Sequence, residues 1–258
     1  MTIHIDPRAV VHPTAKLADG VTIGPFALLG EEVVIGIGTV IGPRVTIERW
    51  TTIGARCRIG SGAVLGGDPQ YLEYDGSPSY LRIGDDNDIR ELAVIQRSAT
   101  PGGCTIVGSH NLIMSQTHIA HDCVLGDHVV MASLAALAGH VEVEDGAVLG
   151  GVIGVHQFAR IGAYSMVGGS SRLSQDVPPF MIAAGNPATV HGLNVVGLRR
   201  AGFAPDLRRE LKAVYRILYR SGLNVSQALA IIKRQPNLSA PVAHLVHFVE
   251  RSKRGICS

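Results

Sequence analysis

The sequence predicts an all-β left-handed parallel β-helix of hexapeptide repeats with an α-helical C-terminal region. Two observations predict it: an aliphatic residue recurs every six positions from Ile5 to Leu173, and helical spacing replaces that period in the last quarter of the chain. Composition agrees, because 31 glycines among 258 residues and only 5% aromatics suit narrow stacked coils better than a core of large rings. The expected division is a β-helix domain over 1–190, with loop insertions near 67–82 and 97–106, and an α-helical domain over 191–258.

Stepping by six from Ile5 to Leu173 visits 29 positions, of which 26 are Ile, Leu, Val or Met. The exceptions, Tyr71, Ser77 and Pro101, fall in the two expected insertions. Small or β-branched residues recur two positions earlier (Val21, Ala27, Val33, Thr39), and glycine often follows the aliphatic residue (Gly24, Gly30, Gly36, Gly42). Neither a 3.6- nor a 2-residue period produces this pattern. A short strand and a tight corner per six residues does, with three units closing a triangular coil of 18 residues. The aliphatic residue points inward, and glycine or another small residue is expected to make the corner. Successive coils stack about 4.8 Å apart as parallel strands. Each buried aliphatic side chain contributes roughly 1.5–3 kcal/mol, so a chain poor in aromatics still obtains a core.

The prism is expected to end near Leu173, because Gln175-Asp176-Val177-Pro178-Pro179 breaks the period and proline cannot donate to a ladder. After a Gly185-Asn186-Pro187 turn, residues 206–220 carry Leu207, Leu211, Val214, Ile217 and Leu218 at helical spacing. Residues 226–234 and 241–252 read as two further helices, separated by Pro236 and Pro241.

Several classes are excluded. With 46% apolar residues and a net charge of +2 the chain can bury a core, so it is not a disordered protein. No apolar run reaches the roughly 18 residues of a membrane span, and the N-terminus does not read as a signal peptide. Four scattered cysteines (Cys57, Cys104, Cys123, Cys257) make neither a disulfide framework nor a zinc ribbon. A cytoplasmic protein without stable membrane insertion is expected. The charge is unevenly divided: residues 191–258 hold 12 Lys+Arg against 3 Asp+Glu, so the remainder is acidic. Such a basic segment raises nucleic acid as a partner, but only Tyr215 and Tyr219 interleave its helix, and none is expected.

In an 18-residue coil, residues 18 apart lie above one another. This stacks His121, Gly139 and Gln157 in one column and Asp122, His140 and Phe158 in the next, with His118 and His156 nearby. That concentration fits acyl transfer. A neutral histidine can take a proton from a hydroxyl, an adjacent carboxylate can orient it, and a glycine N–H such as that of Gly139 can stabilise an oxyanion. Cys123 reads as a small buried residue rather than a nucleophile. Some trimeric β-helices bind zinc through a His-x4-His pair and a third histidine. Here His118 and His121 are three apart, and no metal is expected.

The segment His118-Ile119-Ala120-His121-Asp122-Cys123 closely resembles the active-site segment of UDP-N-acetylglucosamine O-acyltransferases. So do Leu137-Ala138-Gly139-His140-Val141, Val155-His156-Gln157-Phe158, Gln175-Asp176-Val177-Pro178-Pro179, Gly197-Leu198-Arg199-Arg200 and Tyr219-Arg220-Ser221-Gly222. The resemblance implies a cytoplasmic homotrimer that moves a 3-hydroxyacyl chain from acyl carrier protein to the 3-position of a UDP-sugar, opening lipid A biosynthesis. It implies no cofactor beyond the carrier-bound donor. It implies His121 as general base, Asp122 as its orienting partner and Gly139 as the oxyanion amide. His118, His140, His156, Gln157, Gln70 and Glu73 would contact substrate, Asn194 and Arg200 would hold the nucleotide, and Gly169 would set acyl length. Departures gather on the acceptor side. Glu73 stands where the family has lysine, Tyr71 where it has aspartate, Val196 where glutamate is common, and Ala201 where a second arginine is expected. A 3-amino UDP-sugar acceptor is therefore an alternative. The second-step N-acyltransferase, with a large domain before its prism, fits less well, since the repeat begins at Ile5. A non-enzymatic scaffold needs no histidine edge. The basic C-terminal helices would steer the acidic carrier protein.

Overall fold

The computed structural model describes residues 2–258. Strands of two to four residues run from His4–Ile5 to Arg172–Leu173, and each pairs in parallel with the strand three further along the chain. They form three sheets that wall a triangular prism. Near the site, the first sheet holds Leu112–Ile113, Val130–Met131, Val148–Leu149 and Met166–Val167. The second holds His118–Ile119, Ala136–Leu137, Gly154–Val155 and Arg172–Leu173; the third holds Val124–Leu125, Glu142–Val143 and Arg160–Ile161.

Register explains why the six-residue phase survives both insertions. Ile23 pairs with Ile41, 18 residues on, whereas Ile59 pairs with Ile89 and Ile83 with Val107. The two excesses are whole hexapeptides, so downstream aliphatics return to their inward positions. The chain between strands is 68–79 in the first insertion and 97–103 in the second. Two inward positions per hexapeptide fill the prism: a large aliphatic such as Ile47, Ile95 or Ile119, and a small residue two before it, such as Val45, Ala93 or Thr117, all essentially inaccessible.

The expected role of the glycines is corrected. The left-handed conformation falls three residues after the aliphatic, mostly on larger side chains such as Glu32 (φ 53°), Asp122 (φ 59°) and His128 (φ 57°). Apart from Gly66 (φ 75°), the glycines directly after the aliphatic lie outside that region, and such a glycine's backbone touches the next coil. A Cβ on Gly36 would stand 2.5 Å from the carbonyl carbon of Gly54. Glycine here permits close stacking of coils rather than the turn itself.

The boundary at 190 is also corrected. Met181–Gly185 adds to the first sheet beside Met166–Val167, and Ala188–Leu193 pairs antiparallel with it, crossing the expected boundary. The Gly185-Asn186-Pro187 turn joins them. Helices α1 (Val195–Arg200), α2 (Pro205–Arg220), α3 (Val225–Lys233) and α4 (Ala240–Glu250) follow. The last three lie within one or two residues of the expected spans, and α1 was not expected. Helix α1 is short, and Asn194 caps it by accepting from the Gly197 N–H at 3.1 Å. The cap is fastened to the prism by His244 Nε2 on Glu144 Oε2 at 2.8 Å and by the Arg160 guanidinium 4.1 Å over the Phe248 ring. Among the described residues, no helix is long and apolar enough to cross a membrane.

Candidate active site

The edge between the second and third sheets carries the titratable cluster. His118 projects outward from the second sheet, and Ile119 beside it is fully buried. The chain then turns through His121 and Asp122, whose left-handed backbone swings the two side chains together. His121 Nδ1 lies 2.8 Å from Asp122 Oδ2, with both side chains about nine-tenths buried.

The column above supplies the neighbours. The His140 N–H donates to the His121 carbonyl at 3.0 Å, and the His140 ring meets the His121 ring edge-on at 5.3 Å. Phe158 stacks on His140 at 4.6 Å. Gly139 lies against the imidazole: a Cβ there would stand 2.6 Å from His121 Cε1, so only glycine leaves the ring its place. No described residue accepts from the Gly139 N–H, which leaves that donor available.

Asp122 is held on every side. The Ser98 hydroxyl donates to its Oδ1, the Ala99 N–H to Oδ2 at 3.1 Å, and its own N–H donates to Thr105 Oγ1 at 2.8 Å. Burial pushes its carboxyl pKa up. The Ser98 and His121 hydrogen bonds, the Ala99 N–H and the His140 charge outweigh burial and hold it below the usual carboxylate value. Burial, with His121 adding to it, lowers the pKa of His118. Cys123 is buried and its thiol is pushed up to about 12 by desolvation, which suits a packing residue and not a nucleophile.

A groove of about 650 Å³ opens on the second-sheet side of this edge, with Gln70, His118, His121, Gly139, His156 and Gln157 on its walls. Its floor is the outward column His118, Ala136, Gly154, Arg172, where Gly154 has open space in front of its absent Cβ. The 68–79 loop roofs one end. The Gln70 N–H donates to Gln96 Oε1, and Tyr71 sets its ring 5.6 Å from that of His121 while its hydroxyl donates to Glu73 at 2.9 Å. The buried Arg97 anchors the loop through Gly66 O, Asp68 and the Tyr74 hydroxyl.

Of the expected residues, Asp122, His140 and Glu73 border this groove rather than line it, and three more lie away from it within one protomer. Gly169 is exposed where the first sheet turns towards the second. Asn194 is buried, with its side chain spent on Tyr164 O and the Gly197 N–H. Arg200 is exposed in the last turn of α1. Ser98, Gln96 and Arg172 were missed as site neighbours, whereas Tyr71 was placed on the acceptor side as a departure from the family. Ser98 was within reach of the column rule once the second insertion raises the step from 18 to 24. His121, Asp122 and His140 also bring ligand-capable atoms within 4.8 Å of one another.

A hexapeptide prism with a histidine–carboxylate pair and a vacant glycine amide on one edge defines the class of β-helical acyltransferases. Similarity is specific within that class. The family described as UDP N-acetylglucosamine O-acyltransferase, domain 2, matches residues 176–257, and the bacterial transferase hexapeptide family matches 32–67. The acyl-[acyl-carrier-protein]–UDP-N-acetylglucosamine O-acyltransferase of Burkholderia mallei is 50% identical over 204 residues, covering 77% of this chain and 78% of that one. The solved UDP-N-acetylglucosamine acyltransferase of Bacteroides fragilis superposes with a TM-score of 0.96 at 38% identity, covering 98% of this chain and 99% of that one. That of Acinetobacter baumannii gives 0.94 at 39%, with the same coverage. The chain belongs to the UDP-N-acetylglucosamine O-acyltransferase family.

Proposed function

We infer that the protein transfers a 3-hydroxyacyl group from acyl carrier protein to the 3-position of UDP-N-acetylglucosamine, the first step of lipid A biosynthesis, in the cytoplasm. The carrying observation is His121 paired with Asp122 over Gly139 in a chain half identical to enzymes named for this reaction.

The chemistry follows from the pair. Asp122 holds a proton on His121 Nδ1, leaving Nε2 with a free lone pair. Nε2 takes the sugar hydroxyl proton as that oxygen attacks the thioester carbonyl. The Gly139 N–H receives the oxyanion, which collapses and expels the thiolate. The thiolate then takes the proton from His121 and leaves as thiol. His118, His156, Gln157 and Gln70 position the substrates along the groove, and His140 stands at the corner against His121. The protein needs no cofactor beyond the carrier-bound donor and no metal, since the Asp122 oxygens are already engaged by three donors.

A homotrimer accounts for the three residues left outside the groove. The edge between the first and second sheets exposes Leu92, Leu134 and Val152, an apolar strip suited to contact with another copy. If the first sheet of one copy packs on the second sheet of the next, it carries Gly169, Asn194 and Arg200 towards the neighbour's groove. There Arg200 suits a diphosphate and Gly169 borders the acyl chain.

The test is purified protein with 3-hydroxyacyl-carrier protein and UDP-N-acetylglucosamine, with the product mass read directly. Absence of the acylated sugar overturns the reading. The 3-amino analogue belongs in the same assay, because Glu73, fixed by Tyr71 at the groove's roof, suits an amine. Strong preference for the hydroxyl sugar excludes that acceptor.

A further inference from the structure

The run Gln96-Arg97-Ser98 ends strand Val94–Gln96 and begins the second insertion, and its residues are 2%, 1% and 0% exposed. Each of the three side chains serves a different part of the site. Gln96 Oε1 accepts from the Gln70 N–H at 3.3 Å, and the Ser98 hydroxyl donates to Asp122. Arg97, between them, spends its guanidinium on the 68–79 loop and its root. Nη1 donates to Gly66 O at 2.7 Å, and Nη2 donates to Asp68 and, at 3.2 Å, to the Tyr74 hydroxyl. The backbone closes the frame at both ends of the loop. The Arg97 N–H donates to Gly67 O and the Ser98 N–H to Tyr80 O, each at 3.2 Å.

The loop has little apolar anchorage of its own. Pro69 and Ser79 are buried, Tyr74 and Ser77 are half-buried, and the other residues of 68–79 are exposed, Leu72 fully so. With so little apolar surface removed from water, its attachment is polar and centres on Arg97.

The arginine depends on the loop in turn. A buried guanidinium is costly unless paired. Its carboxylate partner, Asp68, lies in the loop, as does Tyr74, one of the two rings it faces, at 5.7 Å. The other ring, Trp50 at 5.4 Å, belongs to the prism. Lifting the loop would strip the guanidinium of a carboxylate, a hydroxyl and a ring at once, leaving it Gly66 O and Trp50. The charge of Arg97 therefore favours the loop closed on the groove, with the Tyr71 ring 5.6 Å from that of His121. His121 Nε2 receives the sugar hydroxyl, so a loop in that place covers the acceptor.

We propose that Arg97 is a positioning residue for the sugar-nucleotide acceptor: through Asp68 and Tyr74 it sets the 68–79 loop in the closed form that receives the acceptor, without touching either substrate. Ser98, one residue on, holds the catalytic carboxylate, so one strand end serves acceptor binding through Arg97 and turnover through Ser98. This rests on the acyl-transfer reading above.

The test measures KM for UDP-N-acetylglucosamine and for 3-hydroxyacyl-carrier protein separately. For Arg97→Gln the acceptor KM rises about tenfold or more, while kcat at saturating acceptor and the donor KM stay within about threefold. Arg97→Lys keeps the charge but loses the fork that reaches Gly66 and Asp68 together, and recovers only part of the loss. Asp68→Asn alters an exposed partner and spares the buried run; it raises the acceptor KM about threefold. An acceptor KM unchanged in Arg97→Gln, or in Asp68→Asn if the arginine variants do not fold, overturns the proposal. So does a loss that falls equally on kcat and both KM values, the mark of a general packing defect. Calorimetric titration with UDP-N-acetylglucosamine in the absence of donor reads acceptor binding without turnover, and its Kd rises with the acceptor KM. A wild type that binds the acceptor but acylates nothing overturns the acyl-transfer reading alone, and the Kd comparison still tests Arg97.

Discussion

Ser98 and Asp122, 24 residues apart in sequence, are joined by a hydrogen bond from hydroxyl to carboxylate, and Asp122 in turn holds His121. Ser98 shares the carboxylate with the imidazole. Removing it leaves Asp122 Oδ1 without its hydroxyl donor, so the carboxylate is held less firmly against His121. Ser98→Ala is expected to lower kcat about three- to tenfold with little change in either KM. Restoration of kcat by Ser98→Thr, which returns the hydroxyl, supports this positioning role, and a Thr variant as slow as the Ala variant overturns it.

Gly139→Ala separates catalysis from folding. The added methyl carbon would stand 2.6 Å from a ring atom of His121, so the imidazole must leave its position while the prism core is untouched. Activity is expected to fall at least about a hundredfold, with the melting temperature nearly unchanged. His121→Ala should cost about as much or more by removing the base.

The trimer reading predicts complementation. Subunits carrying His121→Ala and subunits carrying Arg200→Ala are each expected to be nearly inactive. Mixed trimers pair an intact His121 from one copy with an intact Arg200 from the next at about a third of their interfaces. Activity that returns on co-refolding supports sites shared between copies, and a mixture as inactive as its parents excludes them.

The latch between cap and prism is pH-dependent. The hydrogen bond to Glu144 outweighs burial and raises the pKa of His244 above its ordinary 6.5. Its stabilisation is therefore complete below 6.5 and lost as pH rises through the raised value. With His244 39% exposed, the effect is screened to under about 1 kcal/mol. His244→Gln should lower the thermal midpoint most at acidic pH, and the gap to wild type should close in alkaline buffer.

Dialysis against a chelator is expected to leave turnover intact, despite the proximity of His121, Asp122 and His140. Loss of activity restored by added zinc would reassign the cluster as a metal centre.

Most of the prism and the heart of the site were legible, because a buried position every six residues leaves a phase no other fold produces. Column arithmetic set His121 against Gly139 and His140 against Phe158, as the contacts bear out. Ser98 escaped because the second insertion lengthens the step for one coil only. The hairpin of Met181–Gly185 and Ala188–Leu193 escaped because it leaves the six-residue phase, and the alternating burial of its first strand is hidden in a run of Met, Ile and Ala. The glycines were assigned to the wrong strain: the close approach of the next coil is a tertiary fact, invisible in a single repeat. Gly169, Asn194 and Arg200 could be matched by motif, yet no single chain gathers them.

The strand-like pinning of residues 251–257 along 174–177 has a consequence for the order of biosynthesis. Coils can stack as they leave the ribosome, each on the one before, so the histidine edge is complete while the helices are still being made. The segment 251–257 is laid down only after every coil and helix. A message cut short before residue 251 would yield a protein with its histidine column assembled and the buried Asp176 stripped of its Ser252, Gly255 and Cys257 partners.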